Sequence, residues 1–215
     1  MSNQSRTNPF LNHINQRFSA DFMQNIDQHI SSEVERLIIQ GKKPYMIRRG
    51  GVSPLGCIGY VEAAVEICSQ LKELNVDPDY LFCATGCGVT QAGLLVGFKM
   101  MGLNCKLYGV TVSRRRKECI SQIDQLTKET TKILELDLTI STDDILVLDQ
   151  YIGQGYSIPS PEGIESIRLV ARTEGVFLDP IYTGKAMAGL TDLVKKSHIG
   201  PDKTVIFLHT GGSPS

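Results

Sequence analysis

From residue 54 onward, short runs that are largely apolar rather than alternating are interspersed with stretches whose apolar residues recur every three or four positions. These runs are Tyr80–Ala84, Cys105–Val112, Val176–Leu178 and Thr204–Leu208. A strand of this kind is buried on both faces, which is the signature of a parallel sheet covered by helices on each side. The expected fold class is therefore α/β, a doubly wound, mostly parallel sheet. The helical stretches carry the covers. Ser53 as N-cap and Pro54 as first residue open one helix, to about Leu71, with Val61, Ala64, Val65, Cys68 and Leu71 inward. Ala92, Leu94, Leu95, Phe98 and Met101 mark a second, stopped by Gly102. Ser113 is the expected N-cap of a third, with Ile120, Ile123, Leu126, Thr130 and Ile133 inward. Ser160-Pro161-Glu162 opens a fourth that runs to about Thr173 and is closed by Gly175. The last starts near Lys185, with Met187, Leu190, Leu193 and Val194 buried. Residues 135–160 form a long irregular stretch.

The beginning of the chain differs. Residues 1–18 are polar and without period. A helix is expected from Asp21, with Phe22, Ile26, Ile30, Val34, Leu37 and Ile38 on one face, Asp21 and Gln24 as a capping box, and Gly41 as its end. Tyr45-Met46-Ile47 reads as a short strand. Residues 1–50 are thus expected to be an incomplete, smaller α/β domain, and residues 51–215 the large domain.

Composition narrows the function classes. With 215 residues and a formal net charge of −1, the chain offers no electrostatic surface for nucleic acid. No apolar stretch is long enough to span a membrane, and Met1–Arg6 lacks the apolar core of a secretory signal. The six cysteines, Cys57, Cys68, Cys83, Cys87, Cys105 and Cys119, sit mostly inside apolar runs and read as reduced, buried thiols of a cytoplasmic protein. Cys83 and Cys87 have no CxxC or His-rich companion, so no metal site is expected.

In a doubly wound sheet, ligands bind beyond the carboxyl ends of the strands. Those ends are Thr85–Thr90, Ser113, Asp179–Gly184 and His209–Gly212, four loops expected to face one crevice. Thr85-Gly86-Cys87-Gly88-Val89-Thr90 joins a buried strand to a helix N-terminus. Its free backbone N–H groups, the positive end of the helix dipole and the hydroxyls of Thr85 and Thr90 suit a phosphate. An ordinary tight turn would look the same. Arg114-Arg115-Arg116-Lys117 places cations in the first turn of a helix, against the dipole, and reads as a solvated basic edge.

Five motifs in order carry a family resemblance: Gly50-Gly51-Val52-Ser53-Pro54-Leu55-Gly56, Thr85–Leu94, Gly155-Tyr156-Ser157-Ile158-Pro159, Leu178–Leu190 and His209-Thr210-Gly211-Gly212. Together, from about residue 20 onward, they resemble D-cysteine desulfhydrase and 1-aminocyclopropane-1-carboxylate deaminase, pyridoxal-phosphate enzymes of the tryptophan-synthase-β fold. The resemblance implies that Thr85, Gly86, Cys87, Gly88, Val89 and Thr90 hold the cofactor phosphate and that Thr210 faces the pyridine nitrogen. Tyr156 and Tyr182 would lie near a small amino-acid substrate as proton-transfer or thiol-facing groups. For acid–base work at neutral pH their pKa would have to fall. Lys185 matches the pattern as a structural helix-start residue and not as the cofactor-linking lysine. A homodimer is implied by the family alone.

The sequence departs from the family in three places. Position 87 is Cys where the family usually has Ser. Position 89 is Val where it usually has Gly, and a positive φ there would strain a β-branched residue. The family's Gly-Asn-Lys and Ser-Asn-His stretches are absent, so the chain reads as the C-terminal two thirds of such an enzyme. Two functions remain: a pyridoxal-phosphate-dependent lyase or deaminase with D-cysteine preferred, or a catalytically inactive remnant that binds an anion or a partner.

Overall fold

The computed structural model describes residues 25–212. The chain divides into two units, residues 1–48 and 49–215. In the first unit, α1 (Ile26–Ile39) carries the expected apolar spacing but has no buried residue. Gly41, at φ 74, closes the helix, its N–H donating to the Ile38 carbonyl. The Asp21–Gln24 capping box lies outside the described residues. Tyr45-Met46-Ile47 is not a strand: Tyr45 and Ile47 are 77% and 71% exposed. An isolated extended tripeptide has no ladder to join.

The second unit begins with a short 3₁₀ turn at Arg49–Gly51, followed by α2 (Pro54–Leu74). Ser53 caps α2, its hydroxyl accepting from the Gly56 N–H. Then come β1 (Tyr80–Thr85), α3 (Val89–Met101), β2 (Lys106–Thr111) and α4 (Arg116–Ile133). A 3₁₀ turn at Thr142–Asp144 precedes β3 (Leu146–Leu148), and α5 (Pro161–Thr173), α6 (Thr183–Lys195) and β4 (Val205–Phe207) complete the unit. The four strands form one all-parallel sheet in the order β3-β2-β1-β4.

The pleat of β1 explains the two cores. Leu81 and Cys83 point to one face, into a cluster with Val61 and Ala64 of α2, Leu94 of α3 and Ile123 of α4. Phe82 and Ala84 point to the other, into a cluster with Val110, Val112, and Ala186 and Ala188 of α6. A strand apolar at every position has helices on both sides because each face must be covered.

Four local expectations are corrected. Residues 135–160 hold a strand, β3. It is only three residues long, and its Leu146 carbonyl is reached by Nε2 of the buried Gln91 on α3 at 2.9 Å. Val176–Leu178 is extended but belongs to no strand; Val176 and Phe177 are exposed, and only Leu178 is buried. Ser113 is not the cap of α4, which begins at Arg116 with the Asp149 carboxylate accepting its N–H at 3.0 Å. On α6 the buried face is Thr183, Gly184, Lys185, Ala186, Ala188 and Gly189, whereas Val194 is exposed.

Gln91 reaches β3 only because Gly109 of β2 has no side chain. A Cβ there would stand 1.8 Å from Gln91 Oε1. We expect Gly109→Ala to cost about 1–3 kcal/mol by overpacking, measured by urea denaturation. In a Gln91→Ala background, where the clash is gone, the same substitution should cost measurably less.

Candidate functional site

The loop after β1 is built as an acceptor-free turn. Gly88, at φ 88, caps α3 without a side chain. This left-handed position suits glycine, and it leaves Val89 as the first helical residue, free of the strain expected at position 89. The first backbone hydrogen bond of the helix runs from the Ala92 N–H to the Gly88 carbonyl at 2.9 Å. The N–H groups from Gly86 to Gln91 find no acceptor among the described residues. Thr85, 1% exposed at the end of β1, has a buried hydroxyl oxygen with no hydrogen-bond partner. Thr90 is half-buried on the same turn. Orphaned donors at a helix N-terminus and an orphaned buried hydroxyl are what a phosphate would satisfy, so the residues present fit that group.

Arg114, expected on a solvated edge, is instead a structural tie. Its Nη1 donates to the Gly86 carbonyl at 2.6 Å. Thr111 shapes the loop beneath it, its Oγ1 accepting from the Arg114 N–H and donating to the Arg114 carbonyl. Cys87 is half-buried, its thiol directed at the Gly50 carbonyl 3.5 Å away.

The loop before α6 is organised by Asp179, a residue absent from the sequence-based site. Its buried carboxylate accepts from the N–H groups of Ile181, Tyr182 and Thr183 and from the Thr183 hydroxyl, at 2.7–2.9 Å. The hydroxyl in turn accepts from the Asp179 N–H. Burial pushes this carboxyl upward, and the bonds from Thr183, Tyr182 and Ile181 outweigh it, leaving its pKa below the ordinary value. The signal was legible as an Asp four residues before a Thr at a helix start.

This turn delivers Tyr182 to the mouth of the β1 loop, where a Cβ on Gly86 would lie 3.6 Å from its ring. Tyr156 arrives from the loop between β3 and α5. The two hydroxyls are 2.6 Å apart and the rings meet edge to face, with centroids 6.1 Å apart. Burial, then the bond to Tyr156 and the nearby Tyr156, Cys87 and Asp179, push the Tyr182 phenol up to about 12. In the protein alone Tyr182 therefore holds its proton at neutral pH, the opposite of the lowered value that base chemistry would need. Lys185 is fully buried, its Nζ donating to the carbonyls of Ile152 and Gly155 at 2.8 and 3.0 Å.

The last strand-end loop is tied in by two contacts. Gly212 packs on the Asp179 side chain. The Gly211 N–H donates to His209 Nδ1, which leaves Nε2–H to donate to the Phe177 carbonyl at 2.9 Å. Thr210 lies exposed between them. The strand-end loops expected from the sequence thus converge pairwise, through Arg114 and Gly86, Tyr182 and Gly86, and Asp179 and Gly212. Among the described residues no group of His, Cys, Asp and Glu could hold a metal ion, all six cysteines are free, and no helix is long and apolar enough to cross a membrane.

A family model for pyridoxal-phosphate dependent enzymes matches residues 16–211. The chain is 33% identical to an ACC deaminase homologue of known crystal structure, with a TM-score of 0.78 over 95% of this chain and 62% of that one. The T.th. threonine deaminase is similar at 17% identity and a TM-score of 0.53, over 76% of this chain and 60% of that one. A hydrogen sulfide-producing enzyme from Fusobacterium nucleatum is similar at 21% identity and a TM-score of 0.50, over 84% and 57%. These last two likenesses establish the fold. The chain belongs to the pyridoxal-phosphate-dependent enzyme family and spans about three fifths of the length of the ACC deaminase homologue.

Asp179 gives a pH signature. Its depressed pKa contributes stability that is present above the unfolded value of 3.8 and is lost as pH falls below it. We expect Asp179→Asn to lower stability at pH 7 by about 2 kcal/mol and to flatten the acid limb below about pH 4, both read from urea unfolding across pH.

Proposed function

We propose that residues 49–215 form the phosphate-holding and substrate-facing part of a pyridoxal-phosphate-dependent lyase or deaminase of small amino acids, with D-cysteine the favoured substrate. The observation that carries this reading is the β1 loop: unpartnered N–H groups from Gly86 to Gln91 beside the orphaned Thr85 hydroxyl, in a chain of this family. Thr85, Gly86, Cys87, Gly88, Val89 and Thr90 would hold the cofactor phosphate, and Thr210 the pyridine nitrogen. Bound pyridoxal phosphate supplies an electron sink for the amino-acid α-carbon. The Tyr156–Tyr182 pair holds a proton beside the substrate, Tyr182 as donor rather than base. Thr183 and Thr210 favour the desulfhydrase branch over the deaminase branch. The protein works in the cytoplasm, as a homodimer.

The sequence contains no Gly-Asn-Lys, and Lys185 is committed to two carbonyls. The 215-residue chain is therefore expected to bind pyridoxal phosphate weakly and to release no measurable sulfide or pyruvate from D-cysteine.

Thr85→Val separates binding from folding. It removes a buried hydroxyl that lacks a partner in the protein alone, so the unfolding midpoint should stay level or rise. Affinity for pyridoxal phosphate, followed by cofactor fluorescence with inorganic phosphate as competitor, should fall about tenfold, the loss of one charge-assisted bond. A cofactor that phosphate does not displace, or that Thr85→Val leaves unchanged, contradicts the assignment. Calorimetric titration of the cofactor-loaded protein should rank D-cysteine above L-cysteine and 1-aminocyclopropane-1-carboxylate. The reverse order would move the reading to the deaminase branch.

A further inference from the structure

Lys185 stands on the first turn of α6, three residues after Tyr182. Its side chain is fully buried, and its ammonium faces two backbone carbonyls of the loop that carries Tyr156. Burying a lysine with no carboxylate beside it is costly, and a methionine would fill the same space more cheaply. The charge has a use that an apolar side chain lacks: converging donors that clamp an irregular loop. That loop needs a clamp, because Gly153 and Gly155 take φ of 69 and 150 and no ladder supports it.

The second carbonyl decides what is being held. It is the Gly155 carbonyl, part of the same planar peptide as the Tyr156 N–H and Cα, so fixing it fixes the point and the N–Cα axis from which the Tyr156 side chain departs. Tyr156 is itself 52% exposed, and its ring lies edge-on to Tyr182. An exposed tyrosine on a free glycine-rich loop would lose that orientation to conformational entropy.

We propose that Lys185 is a positioning residue: by clamping the carbonyls of Ile152 and Gly155 it holds the Tyr156 hydroxyl on the Tyr182 hydroxyl, acting through the loop and not on the reacting atoms. One turn of α6 thus sets both members of the pair, Tyr182 directly and Tyr156 through the ammonium. The consequence for catalysis rests on the lyase or deaminase reading. The coupling between Lys185 and the tyrosines does not, and it is measured in the protein without cofactor or substrate.

The test is an NMR titration of ¹³C-labelled tyrosine, with Tyr156→Phe and Tyr182→Phe to assign the signals. The groups facing the Tyr182 phenol are Tyr156, Cys87 and Asp179, and all are unchanged in Lys185→Met. In that variant the Tyr182 titration should move down toward 10.0, its ordinary value, by about one unit, a tenfold rise in its acid dissociation constant. Tyr156→Phe should move it similarly, and the double variant no further than either alone. A Tyr182 titration unchanged in folded Lys185→Met, or fully additive shifts in the double variant, overturns the proposal. A second readout in the wild-type protein stands even where Lys185→Met does not fold. Scalar couplings across the hydrogen bonds from Lys185 ¹⁵Nζ to the ¹³C carbonyls of Ile152 and Gly155 are expected, and their absence overturns the clamp.

Discussion

The enclosure of β1 governs the rest of the second unit. This strand is hydrogen-bonded to β2 on one edge and β4 on the other, and its two pleated faces feed separate helix-covered cores. Nothing along its length meets solvent in a way that could serve a ligand. Polar backbone groups without ladder partners therefore begin where it stops, at Thr85, and the loops of the candidate site gather around that point. The parallel direction of the sheet brings the ends of β2 and β4 to the same side, so their loops are neighbours of the β1 loop by construction.

Those loops lie beyond the ladders, and their backbone groups need partners that strands no longer provide. Side chains take over, most of them buried or half-buried. Asp179 collects three N–H groups and a hydroxyl. Arg114 takes the Gly86 carbonyl, His209 joins the Phe177 carbonyl to the Gly211 N–H, and Lys185 takes two carbonyls. Each is a single side chain doing for an irregular segment what a ladder does for a strand. Most of these bonds involve a charged partner, which makes them stronger than neutral ones.

This division explains what the sequence discloses. Burial on two faces writes itself into composition, so β1, the α/β class and the Ser-capped starts of α2 and α5 are legible residue by residue. Side-chain-to-backbone ties between residues distant in sequence leave no local pattern. β3 escapes because it is only three residues long, laddered to β2, and its further tie to Gln91 comes from 55 positions away. Val176–Leu178 misleads because an apolar run is written there, while its link to the last strand-end loop is the His209 ring rather than a backbone ladder. Arg114 sits within a basic run that looks uniformly solvated, and only the approach of the β1 loop distinguishes it from Arg115 and Arg116. Motifs single out both tyrosines of the pair, but their separation of 26 positions gives no hint that the hydroxyls meet.

The helix starts sharpen the case for the β1 loop. α2 and α5 are capped by serine hydroxyls, α4 by the Asp149 carboxylate, and the turn into α6 by Asp179. At α3 the cap is Gly88, which offers no side-chain acceptor, and the Thr85 hydroxyl three residues before it is itself unpartnered. Leaving these donors unpaired at a buried helix end costs stability, and a capping Ser or Asp at position 88 would be strained, because φ there is 88 and a Cβ would stand 2.9 Å from Ile123 Cγ1. The two deficits are complementary: unpaired N–H groups with a positive dipole end, and a buried hydroxyl with a proton to give. A single oxyanion answers both, whereas a protein cap would answer only the first.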